Sequence, residues 1–376
     1  MTFYAEIEPV DSMLFRDGKP FSANNHLAVS VFPPFPYTFS GFLRSHFGSR
    51  KGCFSGTPAE QEEKMRKAGL GWGDDYGNFC LNCALLYCNP GKDSKDFPGE
   101  KGLYFPVPAD ILHEKKKEDN VIGILRPDMD KKSSGIVSSM PEEIPYWVKE
   151  EKEDKYKCVP SQPFSKGFIS ASDMEQYLRG NIKSIKVYRR SYFAELEPRT
   201  SVQIGQDGHG ETGKLFLVSF LRFRKGISFY LSYNGDDIRQ EKEELESFAG
   251  ERRGIFFRGA NEIKMPSANI RYEGSETKNI KVVLISPAFF ENMRTPEKTE
   301  GLELVSAVTT GYEDIGGWDL INNKPRLIRK AVRAGSVFYY KATKQGYENL
   351  IKKTSLTSCD QDSRAGMGKF LIGEWK

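Results

Sequence analysis

With 376 residues, 38% hydrophobic and 12% aromatic, the chain is long enough for two cores and apolar enough to fill them. Its 55 basic residues against 51 acidic leave a net charge of +4, less than a freely searching nucleic-acid binder shows, so nucleic-acid binding is expected to be local and shared with partner subunits. No apolar run reaches the roughly eighteen residues of a membrane helix, and the start carries no charged-then-apolar export pattern; a cytoplasmic protein with its 6 cysteines reduced is expected.

In chain order, Phe3-Tyr-Ala-Glu-Ile-Glu-Pro alternates as a half-buried strand. A long Pro/Gly-punctuated loop follows, containing Asp11-Ser-Met-Leu-Phe-Arg16-Asp17-Gly18-Lys19-Pro20-Phe21, and loops of that length are usually functional. Two cations, Arg16 and Lys19, flank a glycine turn, and Phe32-Pro-Pro-Phe-Pro36-Tyr-Thr38 leads into a first helix. Thr38 is its expected N-cap, and Phe39, Phe42, Leu43 and Phe47 are spaced for one buried face. A basic turn beside a helix start suits an anion, with phosphate the first candidate. Residues 60–68 suit an exposed helix, and strands are expected at 78–87 and 103–107. From about 113 to 165 the chain turns polar, with Lys149-Glu-Glu-Lys-Glu-Asp-Lys155 typical of a solvated, mobile insertion. A short helix at 172–180 precedes a strand-rich half, with strands at 185–204, 213–223, 227–233, 255–258, 280–286, 302–309 and 335–341 and a charged helix at 238–249. The pattern is α+β, with helices on one face of antiparallel sheets.

Seven motifs occur in one order: the Arg16–Phe21 stretch, the proline run with Gly41-Phe-Leu-Arg44, Phe105-Pro-Val-Pro-Ala-Asp110, Ala249-Gly-Glu-Arg-Arg253, Gly316-Gly-Trp-Asp319, Ala334-Gly-Ser-Val-Phe-Tyr-Tyr340, and Arg364-Ala-Gly-Met-Gly-Lys-Phe-Leu-Ile-Gly373. Together they resemble the Cmr-complex RAMP subunit of type III-B CRISPR systems that grips the five-prime handle of the guide RNA (crRNA). The resemblance implies two ferredoxin-like, RRM-like domains, with boundaries near 1–165 and 166–376. It places polar insertions at about 50–75 and 113–165, a hairpin near 195–214 and a glycine-rich loop at 364–369. It also implies antiviral defence without nuclease activity, and partners comprising the guide handle, the large polymerase-type subunit, the backbone RAMP and small subunits and, indirectly, target RNA. It implies no cofactor, though it allows an adenine nucleotide at the contact with the large subunit.

A handle-binding surface is expected from Arg16, Lys19, Arg44, Arg199, Arg252, Arg253, Arg364, Gly366, Met367, Gly368 and Lys369, because single-stranded RNA is held by Lys/Arg and backbone N–H groups. Met367 stands where the family carries an aromatic and Arg333 where it carries a proline; Asp17 and Glu251 are expected to orient neighbouring arginines. The alternative is a metal-independent endoribonuclease using His26 or His46, although no second acid/base partner sits at a telling spacing. Cys53, Cys80, Cys83 and Cys88 approach zinc spacing, but alternation sends Cys80 and Cys83 to opposite faces of a strand, so buried thiols and no metal are expected. Gly205-x-x-Gly208-x-Gly210 lacks a dinucleotide-binding setting.

Overall fold

The computed structural model describes residues 1–16, 27–90, 99–115, 117–132, 146–204, 210–273, 276–319 and 321–375. Its largest element is a seven-stranded sheet ordered Glu244–Phe248, Arg253–Gly259, Thr2–Pro9, Ile227–Asn234, Cys80–Cys88, Gly102–Pro106 and Phe168–Ser170, with every adjacent pair antiparallel. One face of this sheet carries Ala5, Ile7, Phe229 and Phe257 and packs under helix α1 (Pro36–Arg50), which contributes Phe39, Leu43 and Phe47. Helix α1 starts two residues before the expected cap. Pro36, whose missing N–H costs nothing in the first turn, follows Phe35 in extended conformation, and the Thr38 N–H donates to the Phe35 carbonyl.

Helix α2 (Pro58–Lys67) lies where an exposed helix is expected, opened by a capping box between Thr57 and Glu60, with Met65 its one buried side chain. Helix α3 (Ala171–Leu178) is capped by the Ser170 hydroxyl and buries Met174, Tyr177 and Leu178 against the second face of the large sheet. A four-stranded antiparallel sheet, ordered Leu302–Val308, Val337–Ala342, Lys278–Leu284 and Phe370–Glu374, forms the rest of the core with α4 (Lys344–Lys352) and α5 (Asp360–Arg364).

Three expectations need correction. The charged helix at 238–249 is instead the edge strand Glu244–Phe248, because the left-handed turn through Ala249, Glu251 and Arg252 folds it back onto Arg253–Gly259, and cross-strand pairing overrides local helix preference. The polar stretch 113–165 is no loose insertion: its described residues form a sheet of Tyr146–Lys152, Lys117–Lys132, Ile111–Glu114 and Ser161–Pro163, pinned by buried Ile111, Leu112, Ile122 and Ile124. Nor do the sheets divide at 165/166, since strands as late as Gly259 complete the first sheet and the second begins at Lys278.

Candidate nucleic-acid interface

Strands Ala194–Ile204 and Gly210–Phe223 pair as one long antiparallel ribbon, where a hairpin near 195–214 is expected. At its foot, three segments distant in sequence meet. Met13 bridges to Leu221 and Leu14 to Gly250, which brings residues 11–16 and the 249–253 turn against the ribbon. Two guanidiniums, Arg199 and Arg253, each lie 4.7 Å from the Phe220 ring centroid. Arg199 donates to Glu197 at 2.8 Å and to the Ser12 hydroxyl at 2.8 Å, and Arg222 pairs with Glu197. Arg253 holds Glu251 at 2.7 Å and Asp11 at 3.3 Å; Glu251 thus orients an arginine as expected.

Arg252 is exposed on the left-handed turn, with φ at 49°, and Arg16 is exposed where residues 11–16 end. Hydrogen bonds from Arg222 and Arg199 hold the Glu197 carboxyl below its ordinary range. The Ser12 N–H does the same for Asp11, helped by Arg253, Arg199 and Arg222. Three arginines, Arg199, Arg222 and Arg253, therefore share three carboxylates, Asp11, Glu197 and Glu251, which aim the guanidiniums. Asp11 and Arg222 are absent from the sequence expectation; the alternation that places Arg222 opposite Glu195, one register step from Glu197, is its legible signal.

The terminal glycine loop has a different role. Gly366 and Gly368 adopt φ of 97° and 67°, and an added Cβ on Gly368 would meet the Thr357 nitrogen at 2.6 Å. All four N–H groups from Gly366 to Lys369 are spent inside the protein, on the Ser363, Asp362 and Pro287 carbonyls and the Ser286 hydroxyl. Met367 is fully buried against Phe289, Ile315, Phe35 and Tyr37. Lys369 is 4% exposed, with Nζ 3.9 Å from Cys80 Sγ and its ammonium pKa pushed down by burial. Arg364 donates to the Gly77 carbonyl at 2.7 Å and to Asp360 at 2.7 Å. The loop does meet the start of α1: Asp362 takes hydrogen bonds from Tyr37 and both terminal nitrogens of Arg329, and Gly366 packs on Pro36. That contact ties the loop to the start of α1, and the four N–H groups have partners within the chain.

Arg44 also turns inward. It is 9% exposed, lies over the Tyr76 ring at 4.3 Å, and donates to the carbonyls of Leu70, Gly73 and Asp75 at 2.7, 3.0 and 2.8 Å. Replacing Arg44 by alanine strands three acceptors, and a stability loss of about 3 kcal/mol in chemical denaturation, with RNA affinity unchanged, is the expected result. Arg333 faces Glu313 and the Thr310 carbonyl.

His46 is 7% exposed, ringed by Phe42, Phe47 and Phe257, with Nδ1 3.2 Å from Glu246 and Nε2 3.2 Å from the Gln240 carbonyl oxygen. His46, Glu244 and Glu246 bring ligand-type atoms within 4.8 Å of one another, beside Arg50, which donates to Gln240 at 2.9 Å. Lys19, Asp17 and His26 lie outside the described residues. Cys53, Cys83 and Cys88 are buried and unpaired, and burial pushes the Cys83 and Cys88 thiols up to about 12. A register shift opposite Asn82 puts Leu81 into one core cluster and Cys83 into the other, so simple alternation does not describe this strand.

Sequence reasoning missed a buried polar knot between the sheets. Asp110, fully buried, accepts from the Tyr177 hydroxyl at 2.7 Å and the Tyr339 hydroxyl at 2.6 Å. The Lys281 ammonium, also buried, sits 3.4 Å from the Tyr177 ring centroid, and burial pushes its pKa down to about 7.

The comparison with known families makes the class definite: the family described as CRISPR-associated protein (Cas_Cmr3) matches residues 5–375. The chain belongs to the Cas_Cmr3 family. Among solved structures, a chain of the type III-B Cmr-beta complex bound to cognate target RNA and AMPPnP is similar at 12% identity over 98% of both chains, with a TM-score of 0.49. A chain of the same complex bound to cognate target RNA gives 10% identity, 99% coverage of both chains and a TM-score of 0.47. No curated protein matches the chain.

Proposed function

We propose that this chain is a non-catalytic guide-RNA-binding subunit of a type III-B CRISPR effector, which holds the five-prime handle and bridges the large polymerase-type subunit to the backbone RAMP subunits. The observation that carries the reading is the meeting of Arg199 and Arg253 over Phe220, with Arg222 tied to the same Asp11 and Glu197 carboxylates and exposed Arg252 next in sequence to Arg253, in a chain of the Cas_Cmr3 family. Guanidiniums aimed by carboxylates suit a phosphate backbone, and a long ribbon beside them suits a strand that must be bent or spread. Arg16 extends the cluster, and Lys19 follows it by three residues.

We read the two main sheets as two ferredoxin-like units. Strands Arg253–Gly259, Thr2–Pro9, Ile227–Asn234 and Cys80–Cys88 follow the spatial order 4-1-3-2, with α1 after the first. The second sheet repeats the order, with α4 before its last strand and a loop in place of the other helix. An adenine nucleotide, where one binds, belongs at the contact with the large subunit.

The burial of His46 argues against the endoribonuclease alternative. Incubation with guide-precursor RNA is expected to leave the RNA full length and bound, with binding lost when the handle is deleted. Cleavage that His46→Ala or His26→Ala abolishes, or binding indifferent to the handle, would overturn the proposal.

A further inference from the structure

The second face of the seven-stranded sheet is only half covered. Toward Gly102–Pro106 it is packed by α3 and the second sheet, through Leu85, Phe105 and Tyr230. Residues 260–268 pack beside Tyr4 and Tyr230, and beyond them, over Glu244–Phe248 and Arg253–Gly259, no layer formed by the described residues covers it. There Leu245 and Phe256 stand directly opposite each other, 69% and 37% exposed. Sheet faces bury their apolar side against another layer, and an exposed apolar pair on an edge strand is a liability unless something else covers it.

The same face carries a cleft of about 870 Å³ walled by Tyr4, Tyr87 and Tyr230, the first two half-buried, with ring centroids 6.1 and 6.5 Å from the Tyr230 ring. Its rim holds Glu6, Glu241 and Glu262 against Arg239. Next to it, Arg258 is surrounded by three carboxylates, Glu6 at 2.8 Å, Glu8 at 2.8 Å and Glu243 at 3.0 Å. This gives five carboxylates and two guanidiniums in a chain whose total charge is +4. Such a face repels a phosphate backbone. It favours a cation, which gains both from the carboxylates and from the half-buried Tyr4 and Tyr87 rings.

We propose that the open face of the seven-stranded sheet seats a partner protein, which inserts an arginine or lysine side chain among Tyr4, Tyr87 and the Glu241–Glu262 rim and lays apolar side chains on Leu245 and Phe256. The inference rests on reading the chain as a subunit of an effector assembly, and it assigns the acidic, aromatic face to protein and the arginine cluster to RNA. Tyrosines around a cleft with a polar rim are the residues that dominate protein–protein affinity.

The test is site-specific photo-cross-linking with p-benzoylphenylalanine at Leu245, in the complex co-expressed with its other protein subunits. One adduct to a different protein subunit is expected, through a peptide containing arginine or lysine. In the double variant Glu241→Lys/Glu262→Lys its yield falls about tenfold while the melting midpoint and guide binding hold. An adduct to RNA, an adduct to a second copy of this chain, no adduct, or full yield in the charge-reversed variant would each overturn the proposal. Loss of handle binding with the protein adduct intact would instead overturn the guide-binding function alone.

Discussion

Exchange of Asp110 for alanine is expected to cost about 3–5 kcal/mol, because it leaves the buried Tyr177 and Tyr339 hydroxyls without this acceptor and removes the carboxylate that holds the Lys281 pKa up against burial. Asp110 accepts both the Tyr177 and Tyr339 hydroxyls, and its charge is what offsets the cost of burying the Lys281 ammonium. A fall of roughly 5–10 °C in the melting midpoint is the corresponding reading. The double variant Asp110→Leu/Lys281→Met is expected to recover a large part of that loss, since removing both partners leaves no orphaned charge.

The pair also sets a pH signature. The Lys281 pKa falls from an ordinary 10.5 to about 7 on folding. Between those values the unfolded chain holds a proton that the folded chain has released, so on this group's account stability rises as pH increases from 7 to 10.5. Lys281→Met removes that rise, as melting midpoints across the interval would report. An unchanged pH slope would show that Lys281 keeps its proton when buried.

The second large effect concerns RNA. Arg222 and Arg252 are exposed members of the arginine cluster, and neither side chain supports the core. Their double replacement by alanine is expected to weaken guide binding and to flatten the plot of log K against log salt by roughly 1.4, about 0.7 for each single-strand phosphate left without its arginine. The melting midpoint stays in place. An unchanged salt slope places the phosphate path elsewhere on the molecule.

Much of the fold was legible in local pattern. Alternation marked Thr2–Pro9, strands were expected where Ile227–Asn234 and Val337–Ala342 lie, and helical spacing marked the buried face of α1. The edge strand Glu244–Phe248 was not legible, because its Glu-rich composition favours a helix until a left-handed turn pairs it with Arg253–Gly259. The sheet around Lys117–Lys132 was hidden by the charged residues at the ends of that strand, its buried positions being clustered at 122–124 and 127–128.

The site was partly legible for a related reason. Arg199, Arg252 and Arg253 were chosen by motif, and the ribbon pairing brings them together. Arg44, Arg364 and Lys369 have the same residue chemistry but spend it on Leu70, Gly77 and Cys80. Sequence gives a cation's identity, while its burial and its acceptors come from distant segments. The glycine loop shows the same limit, since its two left-handed residues serve a clasp against Pro36 and Asp362.

Guide binding at the arginine cluster is tested most directly by ultraviolet cross-linking of the guide RNA in the assembled complex, followed by mass spectrometry of the peptides attached to the handle. Attachment is expected within residues 11–31, 197–222 and 250–253. Attachment confined to residues 360–369, or no attachment of the handle to this chain, would refute binding at that cluster.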